Sequence, residues 1–226
     1  MDTLNLVKSY EFFKPESVRE RIHIIGCGSV GGTVAELLIR LGLTKITLYD
    51  FDIVEPHNLA NQLFTQRHIG RPKVEALAAI LCDINSELNE NIKLAGDGYT
   101  DQRLSGYVFL CVDNIELRQK IATESKYNQY IKAIFDFRTR LTDAQHYAAD
   151  WGNVKMVGDF IRSMDFTHDE AMEETPVSAC NVALSVAPTV RTICSLGVSN
   201  FMNFVKGVEI KKMILMDAFS FTLDAF

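Results

Sequence analysis

Four groups of chemistry-bearing residues follow one another along the chain, each next to an apolar run. The first is a glycine loop, Gly26-Cys27-Gly28-Ser29-Val30-Gly31, directly after Ile22, Ile24 and Ile25. Glycine at the first position permits a tight turn, at the second lets backbone N–H groups approach a phosphate, and at the third lets a following helix pack close to the strand. The start of that helix offers unpaired N–H donors and partial positive charge to an anion. The second group is Asp50, which closes the run Ile46-Thr47-Leu48-Tyr49. A carboxylate at such a strand end accepts hydrogen bonds from ribose hydroxyls. Asp52 stands two residues on, with Asn58 and Asn61 in the polar loop beyond it. The third is Lys73, opening a helical pattern after Gly70-Arg71-Pro72, a compact point charge suited to phosphates. The fourth is Asp113-Asn114, at the end of Tyr107-Val108-Phe109-Leu110-Cys111-Val112. One carboxylate in that position holds a magnesium ion whose other ligands are water and phosphate oxygens. A glycine loop, a ribose acid, a lysine and a metal acid describe an ATP site. An NAD(P)- or FAD-dependent oxidoreductase would use the same glycine fingerprint but leaves Asp52, Lys73 and Asp113-Asn114 without a purpose. No GxxxxGK[ST] occurs, so a P-loop does not hold the phosphates.

The elements that must position these groups alternate. Val34, Leu37, Leu38 and Leu41 recur at helical spacing after the glycine loop, and Gly42 suits a C-terminal cap. Val74, Leu77, Ala78 and Ile80-Leu81 predict a helix to about residue 84, Ile92 to Leu94 a short strand, and Ile115, Leu117, Ile121 and Ala122 another helix. Ile131 to Phe135 reads as a strand ending at Asp136-Phe137-Arg138. Beyond about residue 141 the pattern weakens: a strand near His146 to Ala149, an acidic exposed stretch from Asp165 to Glu174, an apolar helix over 182–205 with Pro188 near its start, and one or two edge strands from Met213 to Phe226. The expected fold is α/β: a Rossmann-like, mostly parallel sheet flanked by helices, with an irregular C-terminal portion ending in antiparallel edge strands. Residues 1–20 read as a peripheral segment and 21–226 as the nucleotide-binding domain, its C-terminal extension starting near 141. Asp50, Asp113 and Asp136 are expected at strand C-terminal ends, facing one crevice.

At 226 residues the chain is long enough to bury a core. With 47% hydrophobic and 23% charged residues it falls in the class of soluble globular proteins. A formal charge of −6 argues against a protein that coats nucleic acid. No apolar run is long enough to cross a bilayer, and the first twenty residues lack a signal peptide's apolar core, so no membrane partner is expected and the cytoplasm is the expected compartment. Five cysteines without a CxxC pair suit reduced thiols and give no zinc cage.

Taken together, GCGSVGG (26–32), DFDIVEPHNL (50–59), IGRPKVEAL (69–77) and CVDNIELR (111–118) resemble the ThiF/MoeB/HesA family, the ubiquitin-activating-type adenylating enzymes. The likeness is close over 20–140 and looser through SVAPTVRTICSLGVSNFMNFVKG (185–207), which is similar to the family's late helix. It implies an ATP-dependent adenylyltransferase: a carboxylate, usually the C-terminus of a small ubiquitin-like or sulfur-carrier protein or a peptide, is activated as an acyl-adenylate with release of pyrophosphate. By that resemblance Gly26, Gly28, Ser29 and Gly31 cradle nucleotide with Asp52, Asn58 and Asn114 nearby. Asp50 holds ribose, Lys73 steadies phosphates and Asp113 binds Mg2+. The family also tends to form homodimers.

The chain departs from the family at Asn61, where an arginine usually precedes the glutamine and contacts phosphate. A neutral amide does not replace a bidentate cation. Loss of such a contact typically costs about 2–4 kcal/mol in the transition state. Arg67 and Arg71, or Arg19 and Arg21 across a dimer, are the candidate substitutes. If none substitutes, the chain reads as a catalytically impaired nucleotide-binding scaffold or heterodimer subunit. Cys180, in a polar turn-like stretch, has two readings: a thiol that receives the acyl group, or a small residue filling space beside the late helix. The second is favoured, because a reactive thiol needs an electropositive setting that the neighbouring residues do not supply. His57, His68 and His146 show no ligand spacing and read as surface or loop positions. Arg138 reads equally as a crevice residue and as a salt-bridge partner. Phe12-Phe13 reads as core.

Overall fold

A computed structural model describes residues 4–167, 170 and 184–226. Among these residues eight strands form one sheet in the order β3-β2-β1-β4-β5-β6-β7-β8. The first five strands in this order are parallel: β1 (Ile22–Ile25), β2 (Ile46–Tyr49), β3 (Lys93–Ala95), β4 (Gly106–Leu110) and β5 (Ile131–Thr139). An antiparallel meander completes the sheet: β6 (Asp143–Asp150), β7 (Met213–Asp217) and β8 (Thr222–Ala225). The expected α/β class, parallel sheet and antiparallel edge are all present.

The burial pattern follows from pairing. Every residue of β1, β2 and β4 is buried, as both-face coverage by crossover helices requires. β6 and β7 instead alternate buried with half-buried positions, the mark of a sheet with only one face fully covered. Of the crossover helices, α1 (Ser29–Arg40) ends at Gly42, whose φ of +86° supplies the left-handed cap. α2 (Lys73–Ile84) starts after Pro72 and buries Val74, Leu77 and Leu81. α3 (Ile115–Glu124) is capped by Asn114, whose side chain accepts from the Leu117 N–H. The capping side chain of Asn153 starts α4 (Val154–Arg162) in the same way.

The last helix, α5 (Ala187–Val205), packs on α1, β5 and β6. Its Phe201 meets the rings of Tyr107, Phe109 and Phe135 at centroid distances of 5.1, 5.6 and 5.7 Å, an aromatic core on one face of the sheet. The N-terminal stretch adds Phe13, buried against Phe201, whereas Phe12 is exposed and covered by the Lys206 ammonium 3.7 Å from its ring.

Other expectations change as well. β5 does not stop before Asp136 but runs to Thr139, because β6 pairs with it residue for residue from Ala133 to Thr139. His146 lies inside β6 and is fully buried, with Nδ1 3.0 Å from the Asp136 carbonyl and its ring stacked on Phe135. His68 is also buried, its Nδ1 accepting from the Thr65 N–H at 3.0 Å to close a short turn. Neither is a surface histidine. α4 falls where the sequence pattern looked weak.

Candidate functional site

The sheet reverses its winding between β1 and β4, which opens a crevice at their C-terminal ends. The glycine loop forms one lip. Gly26 has φ +96°, and a side chain there would stand 2.8 Å from the Cys111 carbonyl oxygen at the end of β4. A Cβ on Gly31 would overlap the Gly26 carbonyl, so only glycine lets α1 come this close to the strand end. α1 begins at Gly28 with no capping side chain and no acid in its first turn. Its N-terminal N–H groups and the positive end of its dipole therefore remain available to an anion.

Asp50, one residue past β2, ties this loop to the next strand. Its Oδ2 accepts from the Cys27 N–H at 2.6 Å and its Oδ1 from the Asp52 N–H at 2.9 Å. Burial raises the Asp50 carboxyl pKa, and the two N–H bonds oppose that rise. Asp52 in turn holds Lys73: its Oδ2 accepts from Nζ at 2.7 Å, and its carbonyl accepts from the Lys73 backbone N–H at 2.8 Å. Lys73 is buried, while Asp52 is half exposed. One bonded path thus runs from the glycine loop through both acids to the lysine.

The polar loop after Asp52 forms a third side. Asn58 is buried and shapes the turn at 56–60, its Oδ1 accepting from the Glu55 N–H at 2.9 Å. Asn61 ends that turn. Beside it, Gln62 lies over the glycine loop, with Nε2 3.9 Å from where a Gly28 Cβ would stand. Gln62 Oε1 is buried and has no hydrogen-bond partner. A buried acceptor beside an uncapped helix start fits a bound molecule that brings a hydroxyl or amine.

On the fourth side, Asp113 is exposed, two residues beyond the carbonyl that touches Gly26. Asn114 Oδ1 accepts from the Leu117 N–H at 2.7 Å and so caps α3. Among the described residues no three His, Cys, Asp or Glu side chains come together as a metal cage. One exposed carboxylate fits magnesium carried in on phosphates, which keeps its waters, better than a metal held by protein alone.

Lys73 is thus linked to the glycine turn through Asp52 and Asp50, and Asp113 lies two residues after the Cys111 carbonyl that a Gly26 side chain would meet. Other candidates fall elsewhere. Asp136 is fully buried between Arg118 and Arg138 rather than facing the crevice, since β5 continues past it. Arg67 Nη2 stands 3.7 Å from Asp83, both side chains largely exposed, ten residues along α2 from Lys73 or about 15 Å. Arg21 donates to the Ile46 and Asn91 carbonyls, both at 3.0 Å, at the far edge of the sheet, and Arg19 precedes it there. Arg71 is exposed two residues before Lys73. Cys180 lies outside the described residues. Cys27, Cys111 and Cys194 are buried, and burial pushes each thiol well above its ordinary pKa, which suits packing and not nucleophilic work.

Sequence reading passed over Arg118. Its signal was present: it shares a helix face with Ile115, Ile121 and Ala122, all buried, and a cation at an apolar position requires a buried partner.

A family model described as "ThiF family" matches residues 16–226. Ubiquitin-like modifier-activating enzyme 5 of Drosophila pseudoobscura pseudoobscura is 34% identical over 137 residues, 54% of this chain and 34% of that protein. The Bombyx mori protein of the same name is 35% identical over 136 residues, 53% of this chain and 33% of that protein. The chain thus spans about a third of the length of these curated relatives. Among solved structures, Escherichia coli MccB with ATP aligns with TM-score 0.67 at 16% identity, over 94% of this chain and 64% of MccB. PaaA aligns with TM-score 0.70 at 15% identity, over 94% of this chain and 65% of PaaA. At these identities the structural likeness carries the fold. No helix among the described residues is long and apolar enough to cross a membrane.

Proposed function

The chain belongs to the ThiF family, and from that premise we propose that it is an ATP-dependent adenylyltransferase that activates a C-terminal carboxylate of a small ubiquitin-like protein or peptide. The observation that carries this reading is the bonded path from the Cys27 N–H through Asp50 and Asp52 to Lys73, with Asp113 two residues beyond the carbonyl that a Gly26 side chain would meet. On this reading the path unites a phosphate cradle, a carboxylate for ribose and a cation, and Asp113 adds a metal ligand. The curated relatives' name, a modifier-activating enzyme, and structures of MccB with ATP and with N-formylated MccA agree with it.

When bound, magnesium–ATP supplies an electrophilic α-phosphorus and a pyrophosphate leaving group. The α1 N–H groups of Ser29, Val30 and Gly31 would donate to phosphate oxygens. Asp50, already accepting two N–H bonds, keeps a free lone pair on each oxygen for ribose hydroxyls. Lys73 would leave or share Asp52 to meet phosphate, and Asp113 would hold the magnesium. The incoming carboxylate oxygen bonds to the α-phosphorus as the bond to the bridging oxygen breaks, and pyrophosphate carries away the electron pair. No proton transfer and no covalent enzyme nucleophile are needed, so catalysis is positioning and charge neutralisation. The test is partner-dependent exchange of labelled pyrophosphate into ATP. Exchange with a carboxyl-terminal partner and none without it supports the reading.

A second reading has its own observation. Asn61, a neutral amide, ends the turn at 56–60 where the family resemblance implies a phosphate-binding arginine, and Arg67 stands 3.7 Å from Asp83. A chain that binds ATP with magnesium yet shows no exchange in the presence of partner would be a nucleotide-binding scaffold or the silent half of a heterodimer.

A further inference from the structure

Under the Asp113 turn lies an ion network that none of the proposed steps uses. Arg118 donates through Nε to the Val112 carbonyl at 2.8 Å and again through Nη2, and through Nη1 to Asp136 Oδ1 at 2.7 Å. Asp136 Oδ2 accepts from Arg138 Nε at 2.8 Å. Arg138 then reaches the Ser163 carbonyl at 2.7 Å and Oγ at 3.0 Å, with its guanidinium carbon 4.2 Å from the Tyr147 ring centroid. Asp136 is fully buried and both arginine side chains nearly so. Two cations share one anion.

Burying three charges needs a return. Stability alone is a poor one, since apolar residues of the same volume commonly do as well or better. What the network delivers is position: two donors from one rigid guanidinium fix the carbonyl of the residue immediately before Asp113. A planar fork of this kind sets direction as well as distance. Asn114 fixes the other side of the turn through its cap on α3, the helix that carries Arg118.

Building on the adenylation reading, we propose that Arg118, oriented by Asp136 and Arg138, is a positioning residue that aims the Asp113 carboxylate at the magnesium of the bound nucleotide. Arg118 touches neither nucleotide nor metal. Supporting residues of this kind typically change metal affinity by about 10–100-fold when altered.

The experiment titrates Mg2+ into the chain with a fluorescent ATP analogue and separately measures analogue affinity in EDTA, for wild type, Asp113→Ala, Arg118→Lys and Arg138→Lys, with thermal unfolding as a check on folding. The expected result is a rise of about tenfold or more in the Mg2+ concentration for half-maximal binding in Arg118→Lys. A smaller rise is expected in Arg138→Lys, and metal-free affinity should stay within about twofold of wild type in both. An unchanged Mg2+ midpoint in folded Arg118→Lys overturns the proposal, as does an equal loss of metal-free affinity. If Arg118→Lys does not fold, Arg138→Lys decides: an unchanged midpoint overturns the proposal. The parent reading fails separately, when Asp113→Ala leaves the Mg2+ midpoint of wild type unaltered.

Discussion

Two acid–cation clusters flank the crevice, and water separates their roles. On the β2 side Asp52 meets Lys73 with the carboxylate half exposed; on the β5 side Asp136 meets Arg118 and Arg138 and is fully buried. The short distances are the same, 2.7 Å for both Lys73–Asp52 and Arg118–Asp136. The environments are not. An ammonium beside a hydrated carboxylate can exchange that partner for a phosphate at modest cost. Guanidiniums locked on a buried carboxylate cannot leave without exposing an unpaired charge to a medium that solvates it poorly. On the proposed function the first cluster responds to a ligand, while burial makes the second hold still.

The largest effect should come from breaking the buried cluster. Asp136→Ala leaves two guanidiniums around an uncharged cavity, and chemical denaturation should show a loss of about 3–5 kcal/mol. Next comes pH. His146, which bonds the Asp136 carbonyl, and His23, which lies 2.8 Å from the Tyr49 hydroxyl, are each lowered to about 4, chiefly by burial. Both are neutral when folded and take up protons on unfolding. Stability from them is therefore complete above the unfolded value near 6.5 and drains away as pH falls toward 4. Denaturation between pH 6.5 and 4 should show a slope to which each histidine contributes up to one proton, and His146→Gln should remove its share.

On the exposed side, Lys73→Ala should weaken ATP binding by about 10–100-fold, the worth of a hydrogen bond to a charged group. Unchanged affinity in a titration would remove Lys73 from the site. The smallest effect is Asp52→Asn, expected to shift unfolding free energy by less than about 1 kcal/mol, as partly exposed pairs do. If Asp52→Asn destabilised as much as Asp136→Ala, the contrast between the clusters would be wrong.

The sequence carried the responsive cluster and lost the rigid one. Glycine spacing, the acid at the end of β2 and the lysine at the start of α2 are local signatures, because each residue's role is set by its own turn, strand end or helix start. Asp136 was misread because a strand end was inferred where apolar residues stopped. The pairing of β6 carries β5 four residues beyond Phe135. α4 was missed for a related reason: its nine residues bury only Met156, Val157 and Phe160 among charges, a stripe too short to stand out without knowledge of the β6 face it covers.

What the sequence determined alone was the order of the elements as far as β5 and the parallel half of the sheet, since periodicity, glycine conformation and capping act within a few residues. What only the tertiary structure decided was which charges are dry. Arg118 meets Asp136 across eighteen positions, and Arg138 meets Ser163 across twenty-five. Whether a carboxylate binds a ligand or anchors a fold depends on the water left around it, and that is fixed only when distant segments close over it.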